Sequence, residues 1–208
     1  MKKHFFISIE GIEGMGKTTV FDAVHQYLNE KHVKHILTRE PGGTIIAEAI
    51  RQTLLSHDGE EMLPVTEMLL MFASRAQHVD HVRKPALAKG EWVMCDRFVD
   101  ASYAYQGGGR GLSTEKLDTL ASWTLDVMPD LTFLLDGPVE LGVERIAKRS
   151  TKDRIETEKH DFFERARQAY LERAERENNR FVVIDASQSK EAVLATVLAT
   201  MAQKLEEH

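Results

Sequence analysis

Residues 11–19 read Gly-Ile-Glu-Gly-Met-Gly-Lys-Thr-Thr, directly behind the apolar run His4-Phe5-Phe6-Ile7-Ser8-Ile9 and ahead of a segment of helical period. Gly11-x-x-x-x-Gly16-Lys17-Thr18 satisfies the phosphate-binding loop pattern in the setting that loop requires, between a strand and a helix. The spacing has a chemical reason. Glycines let the backbone turn so that successive N–H groups face phosphate oxygens, and Gly16 opens a helix whose N-terminus adds its dipole. In such a loop the lysine, here Lys17, bridges the outer phosphates and the hydroxyl of Thr18 ligates magnesium. Gly11, Gly14, Met15, Gly16, Lys17, Thr18 and Thr19 are therefore the candidate ATP-binding residues, with Mg2+ expected beside Thr18.

Outward from the loop, short β-branched or aromatic runs alternate with longer segments of helical period, the pattern of an α/β domain with a largely parallel sheet. Strands are predicted at residues 4–10, 34–38, 91–95, 131–136 and 180–185. Helices are predicted at 17–31, 44–55, 64–83, 113–128, 138 to about 149, 161–178 and 190–206, with Ser113 as an N-cap and Pro138 in a first turn. With 208 residues and 42% hydrophobic side chains the chain is expected to fold as a single domain, and it shows no internal repeat. Glu10 interrupts the apolar start, and no run reaches membrane-spanning length, so a cytoplasmic protein without a membrane partner is expected. Cys95 is the sole cysteine, which excludes an intrachain disulfide and a cysteine zinc cluster. The nine histidines show no metal-ligand spacing, and a formal charge of -6 argues against nucleic acid as a partner.

Open α/β sheets bind ligands at the carboxyl ends of their strands, so the residues following each strand should complete the site. Asp96 ends the third strand and reads either as a loop starter or as a carboxylate holding the metal opposite Thr18. The strand-end segments are rich in arginine: Arg39 to Thr44, Asp96-Arg97, and the Gly-rich loop expected at residues 106–111. Arginine presents a rigid fork suited to phosphate, and several on one pocket imply a second anionic substrate. That favours a kinase over a simple ATPase, and the absence of an Asn-Lys-x-Asp tetrad counts against a GTPase.

REPGGT (39–44), DRFVDASYAYQGGGRG (96–111) and DRIETE (153–158) follow EGIEGMGKTT (10–19) in an order and spacing that resemble those of bacterial thymidylate kinases. The likeness runs from the first strand to VVIDAS at 182–187. It implies a P-loop nucleoside monophosphate kinase fold: a five-stranded parallel sheet with helices on both faces and a mobile lid at about residues 148–160. It also implies transfer of the γ-phosphoryl group of ATP to dTMP, giving dTDP for dTTP synthesis. Phe72 is then the ring that stacks on thymine and Arg75 the donor to its carbonyl, although by periodicity alone Phe72 reads as core. Arg97 resembles the clamp on the dTMP phosphate, assisted by Arg39, while Ser102, Tyr105 and Gln106 match positions lining base and sugar. Glu13 matches the acid that reaches toward the sugar and the phosphate-binding arginines. Phe98 and Ala101 depart from the usual Tyr or His, and Ser, of the family.

One class of these kinases carries a P-loop arginine after that acid; here the position is Gly14. The resemblance therefore assigns the catalytic charge to the basic segment 145–154, which is similar to the lid of the bacterial class. Arg149 is the favoured transition-state contact, with Arg145 and Arg154 as competitors, and Arg145 and Arg149 also count as ATP contacts. The expected catalytic set is Lys17, Glu13, Arg97 and Arg149. The resemblance also implies a homodimer packed through the helices at 64–83 and 113–128.

Overall fold

The computed structural model describes residues 4–57, 60–147 and 153–207. Five parallel strands, β1 (Phe6–Glu10), β2 (His35–Arg39), β3 (Trp92–Asp96), β4 (Leu131–Asp136) and β5 (Phe181–Asp185), pair in the order β2-β3-β1-β4-β5. Phe6 stands opposite Val93 and Ile7 opposite Leu131, so β1 is paired on both edges. The helices are α1 (Lys17–Glu30), α2 (Ile45–Leu55), α3 (Pro64–His78), α4 (Lys84–Ala88), α5 (Val99–Ser102), α6 (Thr114–Thr124), α7 (Val139–Ala147), α8 (His160–Arg176) and α9 (Lys190–Glu206).

Alternation along the strands feeds two cores. Ile7, Ile9, Met94, Phe133 and Leu135 meet Val24 and Leu28 of α1, Tyr170 of α8 and Val197 of α9. Phe6, Val93 and Cys95 point the other way, onto Met68 and Phe72 of α3 and Leu117 of α6. A sheet covered on both faces needs strands that are apolar throughout, which is why they read as unbroken hydrophobic runs. The connections after β1 and β4, neighbours in the sheet, depart in opposite directions, and such a divergence opens a ligand crevice at the strand ends.

Three predicted elements differ from those observed. The helix expected at 64–83 passes through a π-helical turn, Val79–Arg83, into α4; the Lys84 N–H reaches back five residues to Val79 and Pro85 has no N–H to give. The helix expected to reach residue 128 stops at Thr124, because Asp126 bonds its neighbour's N–H at 3.0 Å and pairs with the buried Arg83. The Gly-rich loop expected at 106–111 is instead largely part of a π-helical segment, Tyr103–Gly109, continuous with α5. Here tertiary packing overrides the poor helix propensity of glycine: a Cβ at Gly108 would fall 2.5 Å from the Arg165 carbonyl oxygen, and one at Gly109 2.5 Å from the Phe162 ring.

Candidate active site

The loop after β1 forms one wall of a cleft of about 430 Å³. Gly11 (φ 132°) and Gly16 (φ 91°) take conformations that side chains rarely adopt, and Gly16 is the N-cap of α1 with open space beyond it. Lys17 Nζ donates to the carbonyls of Gly11 at 3.0 Å and Ile12 at 2.9 Å. Burial, reinforced by the nearby Arg97 charge, pushes its pKa down to about 8 against the pull of Glu13, Asp96 and Glu10.

Arg97 stands at the end of β3 in a left-handed conformation, φ 66°, which turns its side chain back under the loop. Its Nη1 donates to the Gly11 carbonyl at 2.9 Å and the Tyr170 hydroxyl at 3.1 Å, and its Nη2 to Glu13 Oε1 at 2.8 Å. Tyr105 donates its hydroxyl to Glu13 Oε2 at 2.6 Å, with the Arg97 guanidinium 4.9 Å from its ring centre. Both Glu13 oxygens are thus engaged by groups from the far wall. Behind them Glu10 accepts from the Phe98 N–H and the Tyr170 hydroxyl, each at 2.6 Å, and burial pushes its pKa up to about 8.

Two buried networks brace the cleft. Glu40 accepts from Arg75 Nε at 2.7 Å and pairs with His78 Nδ1 at 2.8 Å; the other ring nitrogen of His78 meets Thr38 Oγ1 at 2.6 Å. Burial works against the Glu40 charge, yet Arg75 and His78 hold its pKa below the ordinary value. On the opposite side the buried Glu67 carboxylate accepts from Gln106 at 2.9 Å, Arg110 at 2.9 Å and Arg154 at 2.6 Å. Burial again opposes ionisation, and Arg110, Gln106 and Arg154 lower the pKa all the same. Arg154 also donates to the Leu54 carbonyl at 2.8 Å, and Glu158 pairs with Arg110 at 2.6 Å, so residues 153–158 lie docked on α2, α3 and the π-helical segment. Among the described residues, Arg75 Nη1, Asp96 Oδ1, Ser102 Oγ and Gln106 Oε1 are buried without a hydrogen-bond partner, a density of orphans that suits a polar ligand.

Of the residues singled out from sequence, Glu13, Gly14, Gly16, Lys17, Thr18, Thr19, Asp96, Arg97, Tyr105, Gln106, Arg145 and Arg154 line the cleft. Arg145 donates to the Gly14 carbonyl at 3.0 Å, alongside the loop. Gly11 supports the loop from behind, and Met15 is buried beneath it against Gly137 and Gly142. Ser102 is fully buried on α5. Arg39 turns away to Glu48 at 2.8 Å with half its side chain in water, and Arg51 of α2 occupies the wall in its place. Phe72 lies in the core, where its ring backs the Arg75 guanidinium at 4.7 Å; its neighbour Met71, one helical step round, faces the cleft. Arg149 lies outside the described residues. Arg51, Glu67 and Met71 went unread in the sequence: residue type was the available signal for Arg51, while a glutamate in the first turn of a helix and a methionine in an apolar stripe carry none.

A phosphate-binding loop at the crevice of a parallel sheet, facing a second wall of arginines, defines a P-loop kinase of the nucleoside monophosphate type. A family model described as thymidylate kinase matches residues 9–197. The chain is 52% identical to the thymidylate kinase of Vesicomyosocius okutanii, over 91% of this chain and 93% of that one. It is likewise 52% identical to the thymidylate kinase of Pseudomonas putida, over 90% of each. A crystal structure of thymidylate kinase from Ehrlichia chaffeensis is similar with a TM-score of 0.77 at 30% identity, covering 98% of both chains. The chain belongs to the thymidylate kinase family and is a phosphotransferase.

Proposed function

We propose that the protein transfers the γ-phosphoryl group of ATP to dTMP, forming dTDP and ADP. The Glu13 carboxylate carries this proposal: bonded to Arg97 at 2.8 Å and Tyr105 at 2.6 Å, it ties the phosphate loop to the wall that receives an anionic second substrate. An ionised oxygen of the dTMP phosphate attacks the γ-phosphorus, the bond to the β–γ bridging oxygen breaks, and ADP departs with that electron pair. The attacking oxygen already lacks a proton, so no general base is needed, and the protein's work is positioning and charge neutralisation. Lys17 serves the donor phosphates and Arg97, with Arg51 rather than Arg39, the acceptor phosphate. Arg75, Ser102, Tyr105 and Gln106 hold base and sugar, Phe72 backs Arg75 from the core, and Met71 offers the apolar surface to the base.

Mg2+ fits Thr18 and Asp96: the Thr18 residue is exposed at the start of α1, and Asp96 Oδ1 is buried without a partner among the described residues. When bound, the ion neutralises charge on the donor phosphates. Gly14 brings no cation to the loop, so the lid, at about residues 148–160 of a single domain, supplies it through Arg149.

Trp123 on α6, Leu63 just ahead of α3 and Leu69 on α3 are exposed at 76%, 64% and 51%, which supports a homodimer through these helices that light scattering would detect. No helix among the described residues is long and apolar enough to cross a membrane, and the one cysteine is buried and unpaired with another, both in keeping with a cytoplasmic enzyme. The deciding assay measures ADP formed from ATP and Mg2+ with dTMP, dUMP, UMP, CMP, AMP or GMP supplied separately. Turnover should be fastest with dTMP; a ribonucleotide preference would overturn the proposal.

A further inference from the structure

Gly142 sits inside α7 with ordinary helical backbone, since it is absent from the residues of positive φ. A helix-interior glycine is destabilising relative to alanine, so something other than conformation must favour it. Its surroundings supply the reason. A Cβ at Gly142 would fall 2.4 Å from the Glu13 carbonyl oxygen and 3.0 Å from the Met15 methyl. The contact is mutual, because a Cβ at Gly14 would lie 2.5 Å from the Gly142 carbonyl oxygen and 2.7 Å from its Cα. One turn on, Arg145 closes the same junction by donating to the Gly14 carbonyl at 3.0 Å. The phosphate loop and α7 therefore meet backbone against backbone, at the place where the connections after β1 and β4 diverge.

We infer that Gly142 is a positioning residue for phosphoryl transfer: it sets the loop backbone at residues 13–15, and so holds the donor phosphates in register with the helix that leads into the lid. Any side chain there must either push the Glu13–Gly14 peptide toward the cleft or lift α7 off the loop. The first displaces the phosphate cradle and the second displaces Arg145; both spoil the alignment of the donor. The carboxylate of Glu13 is anchored separately by Arg97 and Tyr105, so the dTMP side should be spared.

The inference rests on residues 11–19 being the donor-phosphate cradle. Gly142→Ala should lower kcat/KM for ATP by about a hundredfold, the scale of an ångström misplacement. Its thermal midpoint should fall, because the atom a Cβ meets first is backbone, but its dTMP dissociation constant, measured well below that midpoint, should stay near that of the parent, whereas mere unfolding would depress both substrates' parameters together. Val143→Ala, one exposed position along, should leave the kinetics unchanged. Wild-type kinetics for Gly142→Ala would overturn the inference. Should Gly142→Ala not fold, hydrogen exchange on the parent protein decides: ATP should protect residues 139–147 together with 11–16, and protection of the loop alone counts against it. Lys17→Met, run in parallel, separates the two levels. An active Lys17→Met enzyme removes the cradle assignment, whereas an inactive one beside a fully active Gly142→Ala removes only the role of Gly142.

Discussion

Lys17 rests its ammonium on the carbonyls of Gly11 and Ile12, in a site where burial brings its pKa to about 8. Donor phosphates add negative charge there and raise that value, so ATP binding near pH 8.5 should draw in part of a proton, and distinctly less near pH 7, where Lys17 is already charged. Calorimetry in buffers of different ionisation enthalpy measures this, and equal proton counts at the two pH values would contradict it. Arg149→Ala should reduce kcat by about a thousandfold or more, the scale of a lost catalytic arginine. Arg154→Ala, whose guanidinium is already committed to Glu67 and Leu54, should act mainly on KM. Single positions show how far spacing carries. The place of Lys17, Thr18 and Arg97 along the cleft was legible, Lys17 and Thr18 because loop chemistry demands those residue types and Arg97 through the family resemblance. The choice between Met71 and Phe72 was not, because each apolar residue satisfies a helical stripe and only the rotation of α3 against the sheet tells which one meets the cleft.

At the level of elements, residues 153–158 reach across the cleft and are held there by Glu67, through Arg154 and, via Glu158, through Arg110. The folded pKa of Glu67 is depressed, so its contribution is fully present above about pH 4.5 and fades as pH falls through the lower folded value. Glu67→Gln should cost about 2 kcal/mol in urea unfolding at neutral pH, because partly buried arginines lose their acceptor, and the difference should shrink at about pH 4. A difference that persists undiminished in acid would show that charge is not the cause. The five strands were readable to within two residues, since period and β-branching are local. The helical turn of Tyr103–Gly109 was not, because Gly108 and Gly109 serve contact with α8, and Gly107 contact with Leu117 of α6, rather than a loop conformation.

Across the whole molecule, the buried Glu10 joins the sheet to α8 through Tyr170 and to the segment after β3 through the Phe98 N–H. Burial, with the Asp100 charge, raises its pKa to about 8. A raised folded pKa means stability that is complete below about pH 4.5 and lost as pH climbs through 8. The thermal midpoint should therefore decline between about pH 4.5 and pH 8, and Glu10→Gln should flatten that decline. An unchanged slope in the variant would assign the effect elsewhere. By itself the sequence determined the phosphate loop and the alternation of strands and helices, because these rest on residues close together in the chain whose periods and chemistry act locally, and the family, because four such local motifs follow one another in a set order. The tertiary structure alone decided that Arg154 joins Arg110 on Glu67, 87 residues away from it, and why glycine stands at both Gly14 and Gly142. Gly14 and Gly142 meet only where the connections leaving β1 and β4 part over the finished sheet, and Arg154 reaches Glu67 only once residues 153–158 dock on α2 and α3.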